Sequence, residues 1–212
     1  MNMSLMDVGM KLKGHTIDLV LLEPEHKEEL AAVLNDDAIW EFTWRKITTL
    51  EQAQALVDEA LLERLGDSQL PFAVIERSTG LIVGTTRIAS ISGGHRHAEI
   101  GYSWLTPRVW RTSVNTECKR LLLDYCFEHL HTLRVQFSIS HYNIRSQRAV
   151  ERLGALKEGV LRQARIKPDG TVHDVVVYSI LASEWPAVKE RLDGYLGLNN
   201  IRYQDIEKRM SI

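Results

Sequence analysis

Apolar and polar positions along the chain alternate between two rhythms. Residues 16–22 (TIDLVLL) form a short apolar run that predicts a strand, and residues 24–34 then follow a helical period with Pro24 near its first turn. A second helix is predicted over residues 50–65, where Ala53, Leu56, Val57, Ala60 and Leu61 recur on one face. Residues 71–76 and 81–90 read as strands joined by Ser78-Thr79-Gly80, a hairpin signal, and residues 97–105 (HAEIGYSWL) as a third strand. A loop leads from there into a helix on which Val114, Cys118, Leu121, Leu122 and Tyr125 form one core-facing stripe, with Lys119, Arg120 and Glu128 off it. A strand over 133–140 follows, then a helix over 143–153 stopped by Gly154. Strands over 157–167 and 173–181 flank the turn Pro168-Asp169-Gly170, and the segment from Ser183 is helical in pattern.

The order β-α-α-β-β-β-α-β-α-β-β predicts an α/β fold: a mixed, mostly antiparallel sheet with helices on both faces. The strand–helix–strand unit over residues 97–140 is a crossover, so its two strands are expected to be parallel neighbours. Ligands favour the crevice beyond strand ends beside such a crossover. One domain is expected over residues 15–195, between tails at 1–14 and 196–212.

With 212 residues, 44% of them hydrophobic and 25% charged, the chain has the balance of a soluble domain. A formal net charge of -2 argues against a general nucleic-acid binder, and local arginines are all that an RNA-binding reading would rest on. No apolar run approaches the roughly 18 residues of a membrane span, and no secretory signal is visible; membranes are not expected as partners and the cytoplasm is the expected compartment. Cys118 and Cys126 lie eight positions apart on one predicted helix. That is roughly 12 Å, too far for a disulfide, so both read as inert buried thiols, and no metal site is expected.

The loop before that helix, PRVWRTSV, is the first candidate for chemistry. First-turn amides of a helix lack intrahelical acceptors and sit at the positive end of its dipole, where a pyrophosphate can be held. Capping by Thr112 or Ser113 explains the same residues without a ligand. Arg145, Arg148 and Arg152 on one helix and Lys119 and Arg120 on the other fit an anionic ligand, or simply a solvated face balanced by Glu151 and Glu158.

Four segments in order resemble the GNAT superfamily of acetyl-CoA-dependent N-acyltransferases, and most closely its RimJ/RimL branch with YdaF-like relatives. They are AEIGYSWL (98–105), WRTSVNTE (110–117), NIRSQRAVERLGALKEGVLR (143–162), and PDG followed by a strand carrying Asp174 and Tyr178. The resemblance spans about residues 17–192. It implies an approximately seven-stranded sheet with a splayed parallel strand pair holding acetyl-CoA. Trp104, Leu105 and Thr106 would meet pantetheine through their backbone, and Val109, Trp110, Arg111, Thr112, Ser113 and Val114 would meet the pyrophosphate. Arg108 keeps the first position of the family's loop pattern. Arg111 and Ser113 replace its two glycines, whose usual task is positive φ and close approach to phosphate. A modified cradle is implied, in which Arg111 itself holds phosphate; Arg148 is a further candidate for the cofactor.

Aminolysis of a thioester needs a proton acceptor for the amine and a donor for the sulfur. The tyrosine acid of many members falls here on Val150. The RimL-like alternative, a serine three residues after the helix asparagine, falls on Ser146, with Asn143 holding the pantetheine amide. Glu99 matches a catalytic glutamate of some members, or else is a paired strand carboxylate. The branch's carboxylate after the asparagine helix falls on Arg165 and is not carried over. His173 and Asp174, adjacent on the last hairpin, are further candidates to contribute to the base, or else an exposed hairpin pair with structural hydrogen bonds. Trp40, Phe42 and Trp44 alternate along IWEFTW and so share one face, either walling the acceptor channel or filling the core. The resemblance implies acetyl transfer to a primary amine: a protein or peptide N-terminus, or a small amine. The alternative is a weak or inactive CoA-binding regulatory protein on the same fold. A homodimer is left open.

Overall fold

The computed structural model describes residues 9–198; the outer parts of both expected tails, residues 1–8 and 199–212, lie outside the described residues. Eight strands form one sheet in the order β1-β2-β3-β4-β5-β6-β8-β7. They are β1 (Lys11–Lys13), β2 (Ile17–Leu21), β3 (Leu70–Glu76), β4 (Ile82–Ser92), β5 (His97–Leu105), β6 (Arg134–Ser140), β7 (Leu156–Ile166) and β8 (Val172–Leu181). Among the described residues five α-helices accompany them: α1 (Lys27–Leu34), α2 (Leu50–Arg64), α3 (Val114–Asp124), α4 (Ile144–Leu153) and α5 (Trp185–Tyr195). Every strand pair is antiparallel except β5 with β6, the pair that the crossover joins. The edge strand β1 falls inside the stretch read as a tail and accounts for the eighth strand.

Two apolar layers sandwich the sheet. The larger joins Leu19, Phe72, Ile100 and Phe137 to Cys118 and Leu122 of α3, Val150 of α4 and Val188 of α5. The smaller joins Ala73, Ile82 and Trp104 to Leu30 and Leu34 of α1 and Leu56 and Val57 of α2. Both cysteines are free and buried, and burial pushes the Cys118 thiol up to about 12, far from reactivity at neutral pH. No helix among the described residues is long and apolar enough to cross a membrane.

One position corrects the helical stripe of α3. Lys119 is buried, with its ammonium donating to Ser103 Oγ at 2.6 Å. Desolvation lowers its pKa to about 8. Arg120 is likewise committed, to Asp193 at 2.7 Å and Asp124 at 2.9 Å. Neither residue is available to an anionic ligand, because α3 is packed against both the sheet and α5 and little of its surface is left to solvent.

Candidate active site

The site is built around a wedge in the sheet. β5 and β6 pair only through His97↔Arg134, Ala98↔Val135 and Glu99↔Gln136. Beyond them β5 runs on with β4 to Leu105, and β6 runs on with β8 to Ser140. The facing edges of Ile100–Leu105 and Phe137–Ser140 therefore carry backbone donors and acceptors outside the ladder, as a ligand bound in extended form requires.

A bulge bends β5 away from its parallel neighbour. The register with β4 shifts between Thr85 and Arg87, and Tyr102 takes the left-handed conformation at φ 51°. Its ring sits against the Arg87 guanidinium, 4.3 Å from the centroid, and edge-on to Trp104 at 5.6 Å. Gly84, on the facing strand, lets the chains close up: a Cβ there would collide with Trp104 O and lie 2.8 Å from Leu105 Cα. Trp104 itself is buried against Trp40, ring centroids 5.0 Å apart. Two backbone groups in this stretch already have partners. Thr106 N–H donates to Val83 O at 2.9 Å, and Leu105 O accepts the Trp110 indole N–H at 2.8 Å. A carbonyl has a second lone pair, so Leu105 O keeps one acceptor site.

The loop between β5 and α3 keeps the shape that glycine would serve. Arg111 stands at φ 62°, in the left-handed region, at a cost on the order of 1 kcal/mol for a residue with a Cβ. Ser113, at the second replaced position, is ordinary helical backbone at φ -70°, ψ -15° and needs no glycine. Its side chain makes no capping hydrogen bond. Thr112 closes the loop instead, donating to Val109 O at 2.7 Å and accepting from Val114 N–H at 3.3 Å. The helical ladder begins with Glu117 N–H to Ser113 O, so the amides of Asn115 and Thr116 precede it. Arg111 is exposed and makes no hydrogen bond or ion pair among the described residues. Arg145 lies over the Trp110 ring at 3.9 Å; desolvation, with Arg111 nearby, disfavours its charged form while Glu41 favours it. Arg148 is exposed without a partner among the described residues, and Arg152 donates to Thr116 Oγ1 at 2.6 Å. Arg108 turns away to Glu76, at 3.0 Å. The loop thus presents under-compensated positive charge at a helix N-terminus, which fits a diphosphate.

The second helix start meets the wedge from the β6 side. Asn143 caps α4, its Oδ1 accepting from Ser146 N–H at 3.0 Å, which leaves its amide NH2 group to donate elsewhere. Gln147 pins the preceding turn by donating to Ser140 O and His141 O at 3.2 and 3.0 Å. Ser146 is half-buried, and its hydroxyl has no partner among the described residues. Val150 is core, and Gly154 ends the helix at φ 110°.

Glu99 closes the narrow end of the wedge. Its nearest partner is neutral: Gln136 Nε2 donates to Glu99 Oε2 at 3.3 Å and to Ser138 Oγ at 3.2 Å. Arg134 donates to Gln136 Oε1 at 3.0 Å, which fixes the amide so that its NH2 faces Glu99. Arg134 is itself paired with Glu158. Glu99 thus has no ion-pair partner among the described residues, and neither His97 nor an arginine holds it.

An open cleft of about 290 Å³ lies beside the start of α4, lined by Glu41, Phe42, Tyr142, Lys167, Thr171 and His173. A second, of about 240 Å³, shares Glu41 and Lys167 with it and adds Asp37, Trp40 and Lys46. This geometry revises the aromatic segment. A 3-10 turn over Asp37–Trp40 replaces the extended chain that alternation assumed, so the three rings do not share a face. Trp40 is buried, its indole donating to Leu34 O at 2.9 Å. Phe42 lines the first cleft, while Trp44 lines neither and lies 5.7 Å beneath the Arg165 guanidinium. His173 and Asp174 are not an exposed pair either. His173 is 3% exposed with Nδ1 2.8 Å from Ser140 Oγ, and Asp174 accepts from Gln163 N–H at 2.8 Å within the hairpin. The residues of this cleft and wedge that the sequence reading did not single out are Glu41, Lys167 and Gln136. Only Gln136 left a signal: it shares the strand parity of Ser138 and Ser140 on β6.

Comparison with known proteins agrees with this geometry. A model of the acetyltransferase (GNAT) domain matches residues 17–156. YdaF of Bacillus subtilis (strain 168), provisionally named a ribosomal N-acetyltransferase, is 34% identical over 110 residues, 52% of this chain and 59% of its own. A crystal structure of a GCN5-related N-acetyltransferase from Brucella melitensis superposes with a TM-score of 0.80 at 28% identity, covering 88% of this chain and 85% of that one. Mycobacterium smegmatis RimJ, in complex with CoA-disulfide, shares the fold at a TM-score of 0.71 and 21% identity, covering 84% and 88%. A wedge between parallel strands, two helix starts facing it, and a family match over most of the chain lead to one conclusion: this protein belongs to the GNAT acetyltransferases.

Proposed function

We propose that the protein moves an acetyl group from acetyl-CoA directly to a primary amine, with the amine of a protein or peptide N-terminus or a small amine as acceptor. The observation that carries this reading is the convergence of two unlike helix starts on the β5–β6 wedge. One offers positive charge and first-turn amides, the other a carboxamide and an unpartnered hydroxyl. Bound acetyl-CoA supplies the thioester, whose cleavage by the amine leaves an amide and the CoA thiol. Arg111 with Arg145, and with Arg148 further along α4, holds the phosphates. Val109, Trp110, Thr112, Ser113 and Val114 supply the backbone around them. The free edge of β5 at Trp104, Leu105 and Thr106 and the Asn143 NH2 group orient the pantetheine arm. Ser146 donates a hydrogen bond at the departing sulfur, and Glu99, fixed by Gln136, accepts a proton from the amine through water. Phe42 lines the entry of the acceptor, whose opposite wall is the β7–β8 hairpin. The name carried by YdaF favours protein acceptors within this range, and the cytoplasm is the compartment where acetyl-CoA and such acceptors meet.

Thiol release from acetyl-CoA, measured against a panel of peptides and polyamines, tests the reading. Wild type is expected to turn over with at least one acceptor. Ser146→Ala should lower kcat by about 10²-fold with CoA affinity kept, and Glu99→Gln should flatten the acidic limb of the rate–pH profile. CoA binding with no thiol release across the whole panel would instead mark a regulatory CoA-binding protein.

A further inference from the structure

The cleft beside α4 contains a buried imidazole that the proposed reaction has not used. His173 is almost wholly buried and still forms part of the cleft wall. A buried histidine is commonly a satisfied core residue, with both ring nitrogens occupied. Here Nδ1 is held by Ser140 Oγ at 2.8 Å, and Nε2 has no partner among the described residues. Ser140 is fixed in turn, since its Oγ also accepts from Tyr142 N–H at 3.3 Å and it ends the strand at the pair Ser140↔Val175. The imidazole is therefore pinned on one side and free on the other.

Its place in the chain ties it to the reaction. Ser140 and Tyr142 stand immediately before Asn143, the cap of the helix that carries Ser146. Tyr142 meets the His173 ring edge-on at 4.9 Å, and His141 does so at 5.9 Å. The far wall of the cleft supplies Glu41, whose carboxylate also acts on Arg145 of the same α4 turn. Both walls thus converge on the first turn of α4.

We propose that His173, positioned by Ser140, takes the proton that the acceptor's ammonium must lose before it can attack the thioester. The inference rests on acetyl transfer being the reaction and is independent of the role given to Glu99. An acceptor amine arrives mostly protonated at neutral pH, since even an α-amino group has a pKa near 8. Forming the amide removes two protons from nitrogen. The first passes from the ammonium to His173 Nε2, leaving the nitrogen lone pair free, and goes on to solvent through the open cleft. The second leaves as the C–N bond forms and the C–S bond breaks; Glu99 or water receives it and it is returned through Ser146 to the departing sulfur, so that both side chains end as they began. The balance is one ammonium and one thioester in, and one amide, one thiol and one released proton out.

The surroundings keep the imidazole in the form this task needs. Desolvation first, then Lys167 and His141, lower the His173 pKa, against a smaller opposing effect from Asp169. The groups around it are Lys167 and Asp169 from the hairpin, His141 and Tyr142 from the β6–α4 turn, and Glu41 from the α1–α2 loop. His173 is accordingly neutral, and able to accept, down to a lower pH than an ordinary histidine.

Thiol release by the full chain tests the proposal with two acceptors: a peptide with a free N-terminus, and an alkoxyamine whose nitrogen is already unprotonated at neutral pH. His173→Gln is expected to lower kcat for the peptide by about 10²-fold at neutral pH, with CoA affinity unchanged. The deficit should shrink as pH rises through the pKa of the peptide amine, and with the alkoxyamine the variant should match wild type. Ser140→Ala, which removes only the positioning hydroxyl, should show a smaller loss of the same form and keeps the test valid if His173→Gln folds poorly. Equal losses with both acceptors in His173→Gln and Ser140→Ala would make the pair structural and overturn the proposal, as would wild-type rates for the peptide at all pH values. A wild type that transfers to neither acceptor refutes acetyl transfer itself, a different failure from a wild type that transfers while both variants keep pace.

Discussion

The starts of α3 and α4 face the same wedge and solve the problem of unpaired helix amides in opposite ways. At α4 the chain satisfies itself: Asn143 folds its carbonyl oxygen onto Ser146 N–H. At α3 the N-cap Ser113 leaves its side chain unused, Thr112 serves only the first amide, and Arg111 adds an unpaired cation to the positive end of the helix. A self-capped start is a rigid platform for a hydroxyl and a carboxamide. An uncapped start next to a cation needs an anion from outside. The two helices also treat their other charges differently. α3 buries Lys119 deep in the fold, while α4 carries Arg148 into solvent.

The largest effect expected from this contrast lies in the body of α3. Burial lowers the Lys119 pKa from 10.5 to about 8, so between these values the unfolded chain binds more protons than the folded one. Stability attributable to this group therefore rises as pH rises across that window. At neutral pH the folded protein bears a cost on the order of 3 kcal/mol for the buried ammonium. Lys119→Met should raise stability at neutral pH by about 1–3 kcal/mol and remove the alkaline rise, as urea melts at several pH values would show. Destabilisation by Lys119→Met would mean that the bond to Ser103 outweighs desolvation.

An effect of similar size is expected at the loop, read in binding rather than in stability. Arg111→Ala should weaken CoA binding by about 1–3 kcal/mol, and much less for a pantetheine fragment without the diphosphate, in calorimetric titrations. If replacing both Arg111 and Ser113 by glycine tightened CoA binding instead, the loop would be a blocked cradle and the contrast between the helix starts would lose its meaning. The smallest effect distinguishes the caps themselves. Asn143→Ala should cost about 1 kcal/mol of stability, and Ser113→Ala only a few tenths, because Ser113 caps nothing. Equal losses in thermal melts would erase the distinction.

Much of the sheet was legible because apolar periodicity is imposed by burial, and most element boundaries fall within a residue or two of those predicted. Strand β1 was not, since three residues of the pattern KLK carry no usable alternation. The β5–β6 crossover predicted a parallel pair and the family resemblance its splay; the point where pairing stops, Glu99↔Gln136, was not legible, because it goes with a bulge at Tyr102 beside Arg87 and Gly84. Lys119 was misplaced because a helical wheel assigns charge to solvent, whereas its ammonium is turned onto the sheet, to Ser103 of β5. The loop was legible in location and obscure in shape. Arg111 hides a left-handed residue behind a side chain that argues against one, while Ser113 occupies a glycine position where no glycine is needed. For His173 the signal was present and went unread: it shares the inward parity of Val175 on β8.

One indole has a mechanical role that reaches past its own loop. Trp110 belongs to the loop between β5 and α3, its N–H grips the carbonyl at the end of β5, and its face supports the guanidinium of Arg145 on α4. The end of β5, the loop and the distant α4 are thus joined by a single rigid plate. Under the proposed binding of phosphate at Arg145, a displacement of that guanidinium would bear on the plate and so on the hydrogen bond at Leu105. Trp110 would then be a lever, with the two ends of the wedge one side chain's length apart.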